Sequence, residues 1–82
     1  MRMRKTKKNV QLAMLLVLES ATVPHSVDFV RQKLRRETYG GFSVDEVSAY
    51  RWLCELCEEG ALTKELVRVG REETEWQFSR AG

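Results

Sequence analysis

FSVDEVSAYRWLCELCEEGAL, residues 42–62, carries both boundaries of one helix. Ser43 is an N-cap residue type, and with Glu46 it spells the Ser-x-x-Glu capping box, in which each side chain satisfies a backbone donor of the other residue. Asp45 and Glu46 stand where a helix dipole favours negative charge, and Gly60 is the residue type that ends helices in the left-handed conformation. The spacing predicts a helix over about 44–59. Ala49, Leu53, Leu56 and Gly60 recur at three- and four-residue intervals as a packing stripe, while Asp45, Ser48, Arg51, Glu55, Glu58 and Glu59 fall off it. One face of this helix is buried and the other is displayed.

Working outward from that helix, the flanks differ in charge. Through Arg36 there are nine Lys or Arg against two acids, and from Glu37 onward five against ten, so local charges of +7 and −5 make up the net +2. A basic N-terminal part points to an anionic partner, and an acidic C-terminal part argues against one there. Eighty-two residues make one small domain with a single core and no room for a deep catalytic cleft. Cys54 and Cys57 both fall within the central helix, so they are not the spaced framework of a small secreted protein, and a reduced, cytoplasmic setting is expected. MRMRKTKK followed by VQLAMLLVL imitates a signal peptide, but Gln11 interrupts the apolar run and Glu19 ends it. No stretch approaches the ~20 apolar residues of a membrane helix.

Residues 1–5 read as a mobile basic arm, 6–79 as one domain and 80–82 as a frayed end. A first helix is expected from Thr6 to Glu19 or Ser20, with Val10, Ala13, Met14, Val17 and Leu18 on one stripe. Leu12, Leu15 and Leu16 widen that stripe until little polar face is left. The surplus leads us to expect a homodimer through this helix, with a fully internal first helix as the alternative. After the turn at Pro24, Ser26 caps a second helix over 27–37, with Val27, Phe29, Val30 and Leu34 inward and Arg31, Lys33, Arg35 and Arg36 outward. Gly40 and Gly41 break it, and Phe42 is expected to begin a very short strand. Beyond Gly60 the period becomes two. Val67 and Val69, with Thr74, Trp76 and Phe78, share a face, which pairs Val69 with Thr74 and Val67 with Trp76 across a loop of residues 70–73.

Three helices followed by a hairpin is the order of an α+β winged helix-turn-helix domain whose C-terminal two-stranded β-hairpin is the wing. PHSVDFVRQKLRRE and GGFSVDEVSAYRWLCELCEEGAL resemble small winged-helix transcription regulators, nearest in pattern to the DNA-binding half of the ferric uptake regulator family. The matching residues are Tyr50, Arg51 and Leu53 of a Tyr-Arg-x-Leu motif, then Leu56 and Gly60. That resemblance implies double-stranded DNA as partner, with Tyr50 and Arg51 on the helix that enters the groove. The family's metal-binding and dimerising half is absent here, so metal sensing does not carry over.

On the residues themselves, the candidate DNA contacts are Ser48, Tyr50 and Arg51 toward bases, and Arg68 and Arg71 from the wing. Arg31 and Lys33 of the second helix, with Arg2, Arg4, Lys5, Lys7 and Lys8 of the arm, are candidates for phosphate. Against this stand Asp45 and Glu46 at the helix start and Glu72, Glu73 and Glu75 at the wing, since carboxylates beside phosphates oppose binding unless paired or turned away. The alternative is a winged-helix protein-interaction module that uses its acidic central helix and wing, with Trp52 as anchor. No nucleophile and base converge, so an enzyme is not expected. His25 reads as a turn residue, and Cys54-Glu55-Leu56-Cys57 lacks the four ligands of a structural zinc site, so no metal or cofactor is expected. A zinc shared across a dimer is the one arrangement that the spacing leaves open.

Overall fold

The computed structural model describes residues 4–21 and 23–81. In chain order the elements are α1 (Lys7–Glu19), β1 (His25–Ser26), α2 (Val27–Glu37), α3 (Glu46–Glu58), β2 (Leu62–Arg68) and β3 (Thr74–Arg80). Three helices pack on one antiparallel sheet of order β1-β3-β2, which makes the chain a winged helix-turn-helix domain.

Thr6 caps α1 by accepting from the Asn9 N–H at 3.1 Å. The expected stripe holds at Val10, Met14, Val17 and Leu18, all buried, whereas Leu12 and Leu16 are 50% and 58% exposed and make a ridge away from the core. In α2, Ser26 is the cap, accepting from the Phe29 N–H at 3.2 Å, and Val27, Val30 and Leu34 are buried. Phe29 differs from the expectation: it is 40% exposed and its ring stacks on His25 with centroids 3.8 Å apart. It is one residue off the Val27–Val30–Leu34 stripe, a turn of about 100° around the helix, which carries it out of the core.

The short strand is at His25–Ser26 and not at Phe42. It pairs His25 with Phe78 and Ser26 with Gln77 along the free edge of β3. Phe42 is buried in a bend, its N–H donating to Thr38 Oγ1 at 3.0 Å. This anchor also shifts the start of α3. With Phe42 in the core and the Val44 carbonyl accepting from Arg31 Nε at 2.8 Å, the chain stays extended through Asp45. Asp45 is therefore the cap in place of Ser43, accepting from the Ser48 N–H at 2.9 Å, and no Ser43–Glu46 box forms. The far end is as read. Gly60 has φ +84°, the Ala61 N–H reaches Leu56 O at 2.9 Å, and the Gly60 N–H reaches Cys57 O at 3.0 Å, the paired bonds of a Schellman close.

The hairpin forms one residue out of the expected register. Leu62 faces Arg80, Lys64 faces Phe78, Leu66 faces Trp76 and Arg68 faces Thr74, with residues 69–73 as the loop. Leu62 leaves α3 straight into the core at 2% exposure, and the two-residue period then puts Lys64 and Leu66 on the same face of the strand, both of them exposed beyond the edge of the core. Val67 is left half-buried on the other face and Val69 exposed. Phe78, wholly buried on the central strand, ties the sheet to Val10, Met14, Leu18, Leu53 and Leu56 in a single core.

Candidate nucleic-acid interface

With Ala49, Leu53 and Leu56 buried, α3 turns Val47, Arg51 and Glu58 to solvent. Val47 is 67% exposed, and Arg51 makes no ion pair among the described residues. Ser48 is half-buried beside this face and its N–H belongs to the cap. Tyr50 is turned away from Arg51 by about 100° of helix and lies between α3 and the sheet. Its ring meets Phe78 edge-on with centroids 6.2 Å apart, and the Lys64 ammonium is 5.8 Å from it. A hydrogen bond with Cys54, with a smaller contribution from burial, holds the Tyr50 hydroxyl above the usual phenol range.

The basic arm lies along one side of α3. Lys5 Nζ donates to Ser43 O at 2.6 Å, and Lys7 Nζ pairs with Glu55 Oε1 at 2.6 Å. The Arg4 carbonyl accepts from Asn9 Nδ2 at 2.8 Å, fixing the turn into α1, and Lys8 is exposed. Arg2 lies outside the described residues. Beyond the opposite edge of α3 is the wing, where Arg68 donates to the carbonyls of Gly70 and Arg71 and so closes its loop, leaving Arg71 exposed.

The second helix contributes differently. Arg31 binds Val44 O through Nε and Asp28 Oδ1 through a terminal nitrogen at 3.2 Å, bracing α2 against the segment ahead of α3. Lys33 is 3.9 Å from Glu37, while Arg35 and Arg36 are exposed. Two acids of α3 are engaged within the protein. Asp45 uses its carboxylate as the cap, and the Ser48 N–H holds it below the usual carboxylate range. Glu55 is neutralised by Lys7. Glu46, Glu58, Glu59, Glu72 and Glu73 remain exposed.

A cleft of about 440 Å³ opens between the starts of α2 and α3 and strand β3, lined by Ser26, Val27, Glu46, Val47, Tyr50 and Trp76 among others. Beside it is a group that the sequence reading missed. Lys64 Nζ is 3.6 Å from Cys54 Sγ and 4.8 Å from the centre of the Trp76 ring. Counting the two-residue period from Leu62 instead of from Val67 is the signal that finds it. Among the described residues no three His, Cys, Asp or Glu side chains cluster as metal ligands, and no helix is long and apolar enough to cross a membrane.

Architecture and surface together define the class as winged helix-turn-helix. Among solved structures, the chain is similar to the X-ray structure of a PadR-like transcription factor from Bacteroides fragilis. The TM-score is 0.74 at 21% identity, over 93% of this chain and 69% of that one. No protein-family profile matches the sequence, and neither does any curated protein. The winged-helix resemblance is thus matched at the level of fold, while the narrower likeness to the ferric uptake regulator gains nothing from these comparisons.

Proposed function

We propose that the chain is a DNA-binding transcriptional regulator that presents the outward face of α3 to a duplex, with the arm on one side and the wing on the other. One observation carries the reading: Lys7 is seated on α3 at Glu55 and Lys5 on the segment just ahead of it at Ser43 O, so the basic arm and the displayed helix form one surface. Arg51, the exposed arginine of that face, is the base-reading residue. Ser48 flanks it, and Tyr50 acts from the edge that adjoins the sheet. Arg4, Lys5, Lys7 and Lys8, with Arg71 of the wing, take phosphates. Arg31 and Arg68 contribute chiefly by holding the α2–α3 segment and the wing loop in place, and Lys33 adds outlying charge. The reading is of a binding protein of the cytoplasm without catalysis or cofactor, and it pairs two copies through the exposed Leu12–Leu16 ridge.

Fluorescence anisotropy on a random duplex across a salt series is the test. Five or six phosphate contacts give a slope of log K against log salt of roughly −5. Absence of binding at low salt refutes the proposal and favours a protein partner on the Val47–Glu58 face. Sedimentation at tens of micromolar tests the pairing, and a monomeric mass there refutes it.

A further inference from the structure

Of the group formed by Cys54, Lys64, Tyr50 and Trp76, only Tyr50 borders the surface just described. Its members come from α3, β2 and β3, so only the fold assembles them. Lys64 Nζ donates to Cys54 Sγ at 3.6 Å, with the Trp76 ring 4.8 Å and the Tyr50 ring 5.8 Å from the same ammonium. Ring faces hold a cation in position. An ammonium held against sulfur stabilises negative charge there, and the thiolate is the nucleophilic form of cysteine. Lys64 is exposed and Cys54 half-buried, so a small reagent reaches the pair from solvent.

We propose that Cys54 is a modification site for soft carbon electrophiles of the activated-alkene class, and that an adduct there disables the outward face of α3. The reaction is an addition. The Cys54 thiol gives its proton to water, and the sulfur electron pair forms a C–S bond at the β carbon. The alkene π pair moves to the carbonyl as an enolate, and the Lys64 ammonium protonates the α carbon and recovers its proton from water. No oxidant is needed, and nothing leaves. The Tyr50–Trp76 wall of the adjoining cleft offers a flat apolar surface for a conjugated reagent.

Cys57, one turn further on, is the built-in comparison. Burial, followed by the neighbouring Cys54 charge, pushes its thiol above the usual range. The charge of Cys54, the largest cause, holds the Lys64 ammonium above the usual lysine range, so the proton donor stays charged. Cys54 is also three residues from Arg51 and therefore adjacent to it on the helix surface. A bulky adduct at Cys54 occupies the space through which Arg51 would approach a duplex; this second half rests on the DNA-binding reading.

The test is timed labelling of the full chain with substoichiometric N-ethylmaleimide at neutral pH, read by peptide mass spectrometry. Cys54 reacts several-fold faster than Cys57, because the Lys64 ammonium lies 3.6 Å from its sulfur. In urea the ratio collapses towards one. Lys64→Gln slows Cys54 several-fold and Cys57, which feels the same ammonium less directly, by a smaller factor, and Lys64→Arg restores most of the Cys54 rate. Equal rates in the folded chain, or a Cys54 rate that Lys64→Gln leaves unchanged, overturn the site. For the consequence, labelled wild type loses duplex affinity, whereas Cys54→Ser binds as the unlabelled chain does and ignores the reagent. Unaltered binding by the adduct overturns the switching role. A wild type that binds no duplex refutes the DNA reading and the switch with it, and the labelling ratio still decides the site.

Discussion

Leu62→Ala tests the hairpin register, because two pairings one residue apart assign opposite faces to the same side chains. In the observed register Leu62 is 2% exposed and packed in the core, while Val67 is half-buried on the far face. Replacing Leu62 by Ala removes three buried carbons at about 0.8 kcal/mol each, or about 2.4 kcal/mol of transfer energy. A cavity left under the sheet raises this to about 3 kcal/mol, within the range for buried leucines. A domain of this size has roughly 4–12 kcal/mol of total stability, so the variant folds but with a much reduced margin. Urea titration followed by the fluorescence of Trp52 and Trp76 measures it. With a slope near 1 kcal/mol/M, the midpoint falls by about 2–3 M. Val67→Ala, which removes only two partly wet carbons, lowers the midpoint by less than about 1 M. The reasoning is refuted if Val67→Ala is as damaging as Leu62→Ala, since that is the signature of the pairing in which Val67 faces Trp76.

Other perturbations test separate parts of the structure. Arg51→Ala weakens binding to a specific site by about 1–3 kcal/mol while leaving the salt slope nearly unchanged, and anisotropy on specific and random duplexes separates the two effects. Lys7→Ala weakens binding to all sequences and flattens the salt slope by about one contact, roughly 0.9, because it removes a charge and leaves Glu55 unpaired. Tyr39, at φ +52° and 99% exposed, occupies the left-handed position after α2, so Tyr39→Gly raises stability by about 0.5–1 kcal/mol and the melting temperature by a few degrees, measured by thermal circular dichroism. Because the folded-state pKa of Asp45 is depressed, its contribution is present above its unfolded value near 4 and is lost as pH falls through the folded one. Urea midpoints between pH 5 and 2 therefore fall less steeply in Asp45→Asn, which keeps the capping oxygen without the charge.

Most of the fold was legible because its signals are local. Thr6, Ser26 and Gly60 act through the backbone of their own turns, and the stripes of α1 and α3 need only the helical period. The misreadings share a cause in that tertiary anchors outrank local preference. Ser43 is a sound cap by type, but burial of Phe42 and the bond from Arg31 to Val44 hold the chain extended for two residues more, and Asp45 inherits the role. The wing register failed because the row that starts in the core reads Leu62–Lys64–Leu66, with a lysine at its centre, while the other row offered two valines. An alternation rule prefers the valines. Only the descent of Leu62 from α3 into the core breaks the tie, and that is a property of the packed domain. The bonds of Arg31 and Arg68 were equally hidden, since a sequence shows an arginine's charge but not whether backbone carbonyls already hold it.

The same distinction recasts the charge asymmetry along the chain. Local charges of +7 and −5 looked like two conflicting surfaces, a basic one suited to phosphate and an acidic one opposed to it. In the fold they interleave. Lys7 of the basic part neutralises Glu55 of the acidic part, Lys5 caps the Ser43 carbonyl ahead of α3, and Asp45 gives its charge to the helix terminus. What remains on the outward side of α3 is Arg51 between Val47 and Glu58, a narrower and less acidic face than the composition implied. On the DNA-binding proposal, the exposed Glu72 and Glu73 beside Arg71 still oppose a wing that lies flat on a phosphate backbone, which assigns most of the electrostatic attraction to the arm side. Neutralising both wing acids as Glu72→Gln and Glu73→Gln separates the two sides. The arm-dominated arrangement gains affinity on every duplex with a steeper salt slope, whereas a wing held clear of the backbone shows no change in either.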